Sequence, residues 1–219
     1  MKKIGDTIKS FLNNIRSINH NLKLKNKIIN SLLILILGIV LGILSKWLDN
    51  LSLDNTIWWH KIIATLDLGN FFSSMSVWLF IGLTISILSA SPQRAGINTF
   101  LFFIGMTISY HLYTIMFAGF NPKNYMLIWY TITLLSPIMA FICWYAKSKH
   151  IISIIISSLI LYVMLRACFG IGIWYFDIKT ILDLIVFIAS CFIIYTNPKN
   201  LIISFIIGLL LSFTIIIPI

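Results

Sequence analysis

The sequence predicts an all-α protein, a polytopic transmembrane helical bundle with about seven spans and its N-terminus in the cytoplasm. Hydrophobic residues make up 59% of the 219 residues and charged residues only 10%, against about 45–50% and 25% in soluble domains. Apolar runs of spanning length follow one another along the chain, and lysine and arginine gather on one side of the predicted membrane. We therefore expect a multi-pass protein of the cell membrane. The bias toward Ile, Asn and Lys is typical of an AT-rich bacterial genome, which favours the bacterial cytoplasmic membrane.

The segment 1–27 is basic and amphipathic. Its apolar residues recur with steps of four and three, the spacing of one helical stripe: Ile4, Ile8, Phe11, Ile15, Ile18 and Leu22. The pattern predicts a helix lying in the membrane surface, where its lysines meet anionic lipid. The alternative is a docking surface for a cytoplasmic partner such as an ATPase subunit. A nucleic-acid role is not expected, because the net charge of +10 is concentrated beside the membrane rather than on a folded basic surface.

Residues 28–219 form the predicted transmembrane domain, with seven apolar runs separated by turn signals. The runs are about 28–48, 71–90, 97–118, 125–146, 151–173, 180–196 and 201–217. Because the first run starts only after 27 residues and is about 21 residues long, we expect it to stay as a helix rather than to be removed as a signal peptide. The last two runs are short, so six spans with a re-entrant hairpin form the alternative to seven spans.

The distribution of Lys and Arg predicts the orientation of the spans. One side carries Lys2, Lys3, Lys9, Arg16, Lys23, Lys25, Lys27, Arg94, Lys147, Lys149 and Lys199. The other side carries Lys46, Lys61, Lys123 and Lys179, with Arg166 inside a span near it. Since short cytoplasmic loops are enriched in basic residues, the first side is predicted to be cytoplasmic and seven spans place Ile219 outside. Trp58 and Trp59 then fall at the outer interface, where a short helix is expected to anchor or to cap an outward cavity.

Polar residues inside the predicted spans are candidates for a ligand site, because they are costly in hydrocarbon unless paired or hydrated. The candidates are Thr107, His111 and Thr114 on the third span, Ser158, Tyr162 and Arg166 on the fifth, and Asp183 in the first turn of the sixth. Their spacing puts each set on one helix face, near the outer leaflet. In the functional hypothesis they line an outward-opening pocket, where Arg166 anchors a small polar or anionic solute and His111 acts as a proton-linked switch. In the alternative, Asp183 neutralises Arg166 and His111 bonds a neighbouring helix.

Two further patterns concern helix packing. Gly38 and Gly42 form a G-x-x-x-G in the first span, which allows a neighbouring helix to approach closely. Pro137 interrupts the fourth span, and its missing N–H and its ring predict a kink. Such a kink is either static or a hinge for transport.

The sequence argues against an enzyme. Glutamate is absent, no metalloprotease, nucleophile-elbow, P-loop or Rossmann pattern occurs, and Cys143, Cys168 and Cys191 lack metal-binding spacing. No cofactor and no metal is therefore expected. The expected function is that of a small-solute permease, or the membrane subunit of a transporter, with a polar site in the outer leaflet. The alternative is a non-catalytic membrane accessory, scaffold or immunity-type protein that acts through a protein partner.

Overall fold

The computed structural model of the chain describes residues 15–18, 23–54, 56–148, 150–172 and 174–214. These residues form nine α-helices and one short β-hairpin. The helices are α1 (Leu24–Asp49), α2 (Trp58–Thr65), α3 (Leu68–Ser73), α4 (Met75–Leu88), α5 (Pro92–Tyr113), α6 (Lys123–Cys143), α7 (Ile151–Cys168), α8 (Ile181–Ile194) and α9 (Pro198–Thr214). A π-helical turn, Thr114–Ala118, extends α5, and a 3-10 turn, Trp144–Lys147, extends α6. The predicted all-α class is confirmed.

Four helices in the described part of the chain are long and apolar enough to cross a membrane. They are Leu24–Asp49, Pro92–Ala118, Lys123–Lys147 and Ile151–Cys168. Three further apolar helices are shorter: Met75–Leu88, Ile181–Ile194 and Pro198–Thr214. Together these seven helices occupy the seven predicted apolar runs. The number of spans and the cytoplasmic N-terminus stay predictions.

Helices α1 and α5 run side by side in the same direction. Near their starts, the Ser31 hydroxyl donates to Asn98 Oδ1 at 2.8 Å. Near their ends, Lys46 Nζ lies 5.6 Å from the ring centre of Tyr110. We use these pairs to name the two ends of the bundle. The Lys27 end holds the N-termini of α1 and α5, and the Lys46 end holds their C-termini.

The remaining apolar helices alternate between these two ends. The Ser45 hydroxyl donates to the carbonyl of Phe72 at 3.1 Å, which places the start of α4 at the Lys46 end. Trp144 Nε1 donates to the carbonyl of Ser89 at 2.7 Å, which places the end of α6 beside the end of α4. A bond from Ser76 to Asp183 puts the start of α8 at the Lys46 end, and α9 runs parallel to α7. All seven apolar helices therefore cross the bundle from one end to the other.

Helix α4 occupies the centre of the bundle. It packs against α5, α6, α7 and α8, and its residues Trp78 and Ile87 are among the most buried side chains in the described chain. Helices α1 and α6 pack on α5, whereas α9 packs on α7. Helix α4 thus joins two groups of helices, α1–α5–α6 and α7–α8–α9.

Small residues bring two helix pairs into close contact. A Cβ at Gly38 or Gly42 would overlap backbone atoms of α5, as the G-x-x-x-G spacing predicted. Helix α9 has a comparable stripe, which the sequence analysis missed: Ser204, Gly208 and Ser212 are its buried residues. A Cβ at Gly208 would lie 3.0 Å from a carbonyl oxygen of α7. Both pairs therefore rely on the absence of larger side chains.

The second and fifth predicted spans were wrong as continuous helices. At Ser74 the backbone is extended and separates α3 from α4, and the Ser74 hydroxyl bonds the preceding turn at 2.8 Å, a local bond that competes with helix continuation. After Cys168 the strand Phe169–Ile171 pairs antiparallel with Phe176–Ile178. Lys179 Nζ donates to a carbonyl of the last turn of α7 at 2.9 Å, satisfying a helix end.

Only part of the basic N-terminal segment belongs to the described residues. Ile4, Ile8, Phe11 and Leu22 of the predicted stripe lie outside them, whereas Ile15 is buried in the core and Ile18 packs against it. Arg16 stacks over the Trp144 ring at 4.1 Å and donates to the carbonyls of Trp144 and Ile87. Burial lowers the pKa of the Arg16 guanidinium from its usual value. This short piece of the segment is thus attached to the bundle at the Lys27 end.

Candidate functional site

The three predicted polar residues of α5 and its extension meet different partners. Thr107 is fully buried, and its hydroxyl lies 3.1 Å from that of Thr133 on α6. Thr114 is also buried, but its hydroxyl donates to the carbonyl of Tyr110 one turn earlier, at 2.8 Å. Of these two threonines, only Thr107 therefore links α5 to a neighbouring helix.

His111 bonds two groups at the Lys46 end. Its Nδ1 lies 2.9 Å from the hydroxyl of Tyr130 on α6, and its Nε2 lies 3.0 Å from Oδ1 of Asn121 in the loop that follows α5. One ring nitrogen of a neutral histidine donates and the other accepts. These contacts correspond to the alternative reading, in which His111 bonds a neighbouring helix.

The polar residues of α7 face α9 and the β-hairpin. Ser158 donates to the carbonyl of Ile154 at 2.7 Å within its own helix. The backbone at Ser158 and Tyr162 lies against Gly208 of α9. Arg166 Nη1 donates to the carbonyl of Ile171 in the hairpin at 2.6 Å. This stripe therefore points away from α5.

Asp183 is buried, with 1% of its surface exposed. One carboxylate oxygen accepts a hydrogen bond from Ser76 of α4, and the other accepts from the Thr180 hydroxyl at 2.8 Å. The backbone N–H of Asp183 donates to Thr180 Oγ1 at 3.1 Å, so Thr180 caps α8. Among the described residues the single ion pair within 4.0 Å joins Lys46 and Asp49. Asp183 and Arg166 therefore do not form the ion pair that the sequence allowed.

The predicted pocket between the third, fifth and sixth spans depends on how α5, α7 and α8 lie relative to one another. Helix α4 packs on α5 and also on α7 and α8, and thus lies between the predicted stripe of α5 and those of α7 and α8. The hydrophobic pattern shows which face of a helix is apolar, but it does not identify the neighbour that covers a polar face. The ligand-binding role of these residues stays a prediction.

A different polar group lies at the Lys46 end, which we call the Lys46 cluster: Lys46, Asp49, Tyr110 and Phe120. Lys46 is only 4% exposed. Its ammonium group pairs with Asp49 and lies 5.6 Å and 5.5 Å from the ring centres of Tyr110 and Phe120. The carboxylate and the aromatic faces compensate the charge that burial removes from water. From the sequence, Lys46 counted only as a basic residue of the outer side, and its burial was not predicted.

A small cavity adjoins the Lys46 cluster. Its volume is about 10 Å³, which is enough for roughly one water molecule. Its walls include Ser45, Trp78, Thr107, Tyr110, Tyr125 and Trp129. Of the predicted site residues, Thr107 lines this cavity.

No group of three or more His, Cys or Asp side chains in the described part of the chain lies close enough to hold a metal ion. The three cysteines are not joined by disulfides. No family model, no curated protein and no solved structure matches this chain. Its function therefore has to be argued from the bundle and its polar groups.

Proposed function

We propose that this chain is an integral membrane protein with seven spans, resident in a bacterial cytoplasmic membrane. The exposed apolar surface supports the proposal. In the most apolar 18-residue stretch of α1, only 17% of the residues are buried within the bundle. Its side chains Leu32, Ile36 and Val40 are each more than half exposed. A surface of this kind in water would be an interaction site or an aggregation hazard, whereas lipid solvates it.

The charges support an orientation with the Lys27 end in the cytoplasm. The described basic residues at that end are Arg16, Lys23, Lys25, Lys27, Arg94, Lys147 and Lys199. Those at the opposite end are Lys46, Lys61, Lys123, Arg166 and Lys179. Seven described basic residues at the Lys27 end thus stand against five at the opposite end, and one of those five, Lys46, is buried in its cluster. The positive-inside rule then places the N-terminal segment inside.

The function that we propose is that of a small-solute permease, or the membrane subunit of a transporter, with a polar site in the outer leaflet. The buried Lys46 beside the aromatic cavity is the observation that supports it, because an intramembrane charge is costly and usually functional. Lys46 takes the role that we expected of Arg166, the anchor for a polar or anionic solute. No cofactor and no nucleic acid enters this proposal.

Ligand screening of the purified protein tests the permease proposal. Melting would be followed in detergent against amino acids, nucleosides, vitamins and small anions, with Lys46→Met and Lys61→Met as matched variants. Lys61 is an exposed lysine at the same end, so its removal changes the net charge equally. We expect a stabilising ligand whose effect disappears in Lys46→Met and persists in Lys61→Met. Equal retention in both variants would exclude the Lys46 cluster as the site.

The second candidate is a non-catalytic accessory, scaffold or immunity-type membrane protein. The small cavity that adjoins the Lys46 cluster favours this candidate, since a volume of about 10 Å³ holds no solute larger than water. The hydrogen bonds of Thr107, His111 and Asp183 within the bundle also suit a structural role. A silent ligand screen, together with stoichiometric co-purification of one partner protein in mild detergent, would favour this candidate over the permease.

A further inference from the structure

A groove opens at the Lys27 end between α1 and α4. Both helices pack against α5, and the space between them has a volume of about 500 Å³. Helix α5 forms its floor with Arg94 and Asn98, while Lys27 and Ile34 belong to one wall and Ile85 to the other. The groove is far larger than the cavity at the opposite end, and none of the predicted site residues lines it.

The end of the groove nearest the helix termini is cationic. Lys27 and Arg94 both line it, and none of the described residues around it is acidic. Arg94 is held in place, because its Nη2 donates to the carbonyl of Lys27 at 2.5 Å and to the Ser31 hydroxyl at 2.6 Å. Since a guanidinium carries five N–H donors, these two bonds leave others for an acceptor in the groove. The buried Asn98 adds a polar amide behind them.

Helix direction adds to this positive potential. Helices α1 and α5 run parallel, so both N-termini lie at the Lys27 end. Neither helix has an acidic residue in its first turn, and α1 has no side-chain cap. The N-terminus of a helix carries a partial positive charge of roughly half an elementary charge. Two such termini and two basic side chains thus favour an anionic group at one place.

The rest of the groove is apolar. Leu33 and Ile34 of α1 face Ile85 and Leu88 of α4 across it, and Leu88 is 70% exposed. Ile34 lies seven residues after Lys27, about 10 Å along a helix. A group with a charged head at Lys27 would therefore place the first part of an attached chain against these side chains.

We propose that this groove binds an anionic phospholipid of the inner leaflet. Its phosphate lies between Lys27 and Arg94, and one acyl chain lies over Ile34, Ile85 and Leu88. The cationic end selects the charge of the lipid, while the apolar walls distinguish a lipid from a free anion. The inference rests on the proposed membrane location and orientation but not on transport.

Native mass spectrometry of the detergent-purified full chain tests the proposal. Titration would compare phosphatidylglycerol with phosphatidylcholine of the same acyl chains, and with glycerol phosphate as the free head group. Lys27→Gln and Lys25→Gln remove the same charge from the same helix, but Lys25 is exposed and lies outside the groove. We expect Lys27→Gln to weaken phosphatidylglycerol binding about fivefold, and Lys25→Gln to change it by less than about twofold.

Three results would overturn the lipid site. These are equal binding of phosphatidylcholine, equal losses in the two lysine variants, and displacement of the lipid by glycerol phosphate at equal concentration. If Lys27→Gln does not fold, Ile34→Trp provides a second test, because it fills the apolar part and keeps the net charge. We expect it to weaken phosphatidylglycerol binding as well, and unchanged binding would contradict the proposal. Retention of the chain in alkali-washed membranes tests the membrane location separately.

Discussion

Single glycines decide how closely α1 approaches α5. A Cβ at Gly42 would overlap the carbonyl of Met106 and the hydroxyl of Ser109. Because backbone atoms give way only when the helices separate, we expect Gly42→Ala to lower the free energy of unfolding by about 1–3 kcal/mol. Gly69→Ala is the matched control, since its Cβ would meet its nearest neighbour at 3.5 Å. Melting in detergent measures both variants, and equal melting temperatures would contradict the close packing.

Asp54, in the loop between α1 and α2, provides a prediction for pH. The backbone N–H and the hydroxyl of Thr56 donate to its carboxylate at 2.9 Å and 2.8 Å. These bonds hold the pKa of Asp54 below its ordinary value. At pH values above about 3.9, the pKa of Asp in the unfolded chain, the ionised carboxylate therefore stabilises the folded state. This contribution is lost as the pH falls through the pKa of Asp54 in the folded protein, which is lower.

Replacement of the Thr56 hydroxyl tests this assignment. Thr56→Val removes one of the two donors and keeps the backbone N–H, so we expect the pKa of Asp54 to rise while staying below its ordinary value. Titration of isotope-labelled aspartate carboxyls by NMR measures the change. Thr131→Val, which removes a hydroxyl that bonds only its own helix, should leave the Asp54 titration unchanged. An unchanged titration in Thr56→Val would show that the hydroxyl has no part in it.

Individual site residues were predictable in type but not in partner. Their spacing predicted one polar stripe for Thr107 and His111, and in the structure Thr107 is buried and His111 half-buried on α5. Their partners on α6, Thr133 and Tyr130, could not be identified, because one sequence shows helix faces and not which faces meet. Lys46 was missed for a related reason, since burial at the end of a span depends on the loop that folds over it.

At the scale of elements, α6 accommodates a proline without an unsatisfied carbonyl. Pro137 has no N–H, so the carbonyl of Thr133, four residues earlier, loses its usual helix donor. The Ser136 hydroxyl donates to that carbonyl at 2.8 Å instead, and Ser136 is buried. Gly96 of α5 packs against Pro137. A satisfied and packed proline favours the static reading of this position over a hinge.

A double-mutant cycle tests the role of Ser136. Ser136→Ala leaves a buried carbonyl without a donor, and we expect a loss of about 1–3 kcal/mol in the free energy of unfolding. In a Pro137→Ala background the restored N–H can bond the same carbonyl, so the loss should fall below about 0.5 kcal/mol. Equal losses in both backgrounds would mean that Ser136 does not replace the proline's missing donor.

The contact between α4 and α8 depends on one buried carboxylate. Asp183 accepts hydrogen bonds from Ser76 and Thr180, and bonds to charged groups contribute roughly 1.5–3 kcal/mol. We expect Ser76→Ala and Asp183→Asn to be coupled by at least about 0.5 kcal/mol. Ser190 bonds only its own helix, so Ser76→Ala and Ser190→Ala should be additive. Unfolding in denaturant measures both pairs, and additivity of the first pair would contradict a direct link.

The elements themselves followed largely from the apolar runs, because helices long enough to cross a bilayer have a strong compositional signal. The breaks within two of these runs could not be predicted from the sequence. Ser74 and the hairpin strand Phe169–Ile171 lie inside apolar runs, and hydropathy does not distinguish a strand or a break from a helix there. The bonds that Ser74 and Lys179 make to helix ends are visible only in three dimensions.

At the scale of the whole molecule, the order of helices in the bundle was beyond the sequence. The polar stripes of α5, α7 and α8 together suggested a common pocket, but α4 lies between α5 and the other two helices. Helices α4 and α8 are the shortest of the seven apolar helices, with 14 residues each. Nothing in the composition of α4 marks it as central. The structure of the whole bundle shows that the seven apolar helices alternate in direction between its two ends. This alternation is a prerequisite for seven spans.

This alternation leads to a prediction about topology. In a variant without native cysteines, Lys61→Cys should react with a membrane-impermeant maleimide from outside the cell, whereas Lys199→Cys should react only after the cytoplasmic face is opened. A reporter fused after Ile219 should lie outside, because α9 returns from the Lys27 end to the Lys46 end. If Lys199→Cys reacts from neither side, α8 and α9 form a re-entrant hairpin, since their turn then stays in the membrane. A cytoplasmic reporter would instead mean that α9 does not cross, and six spans would replace seven.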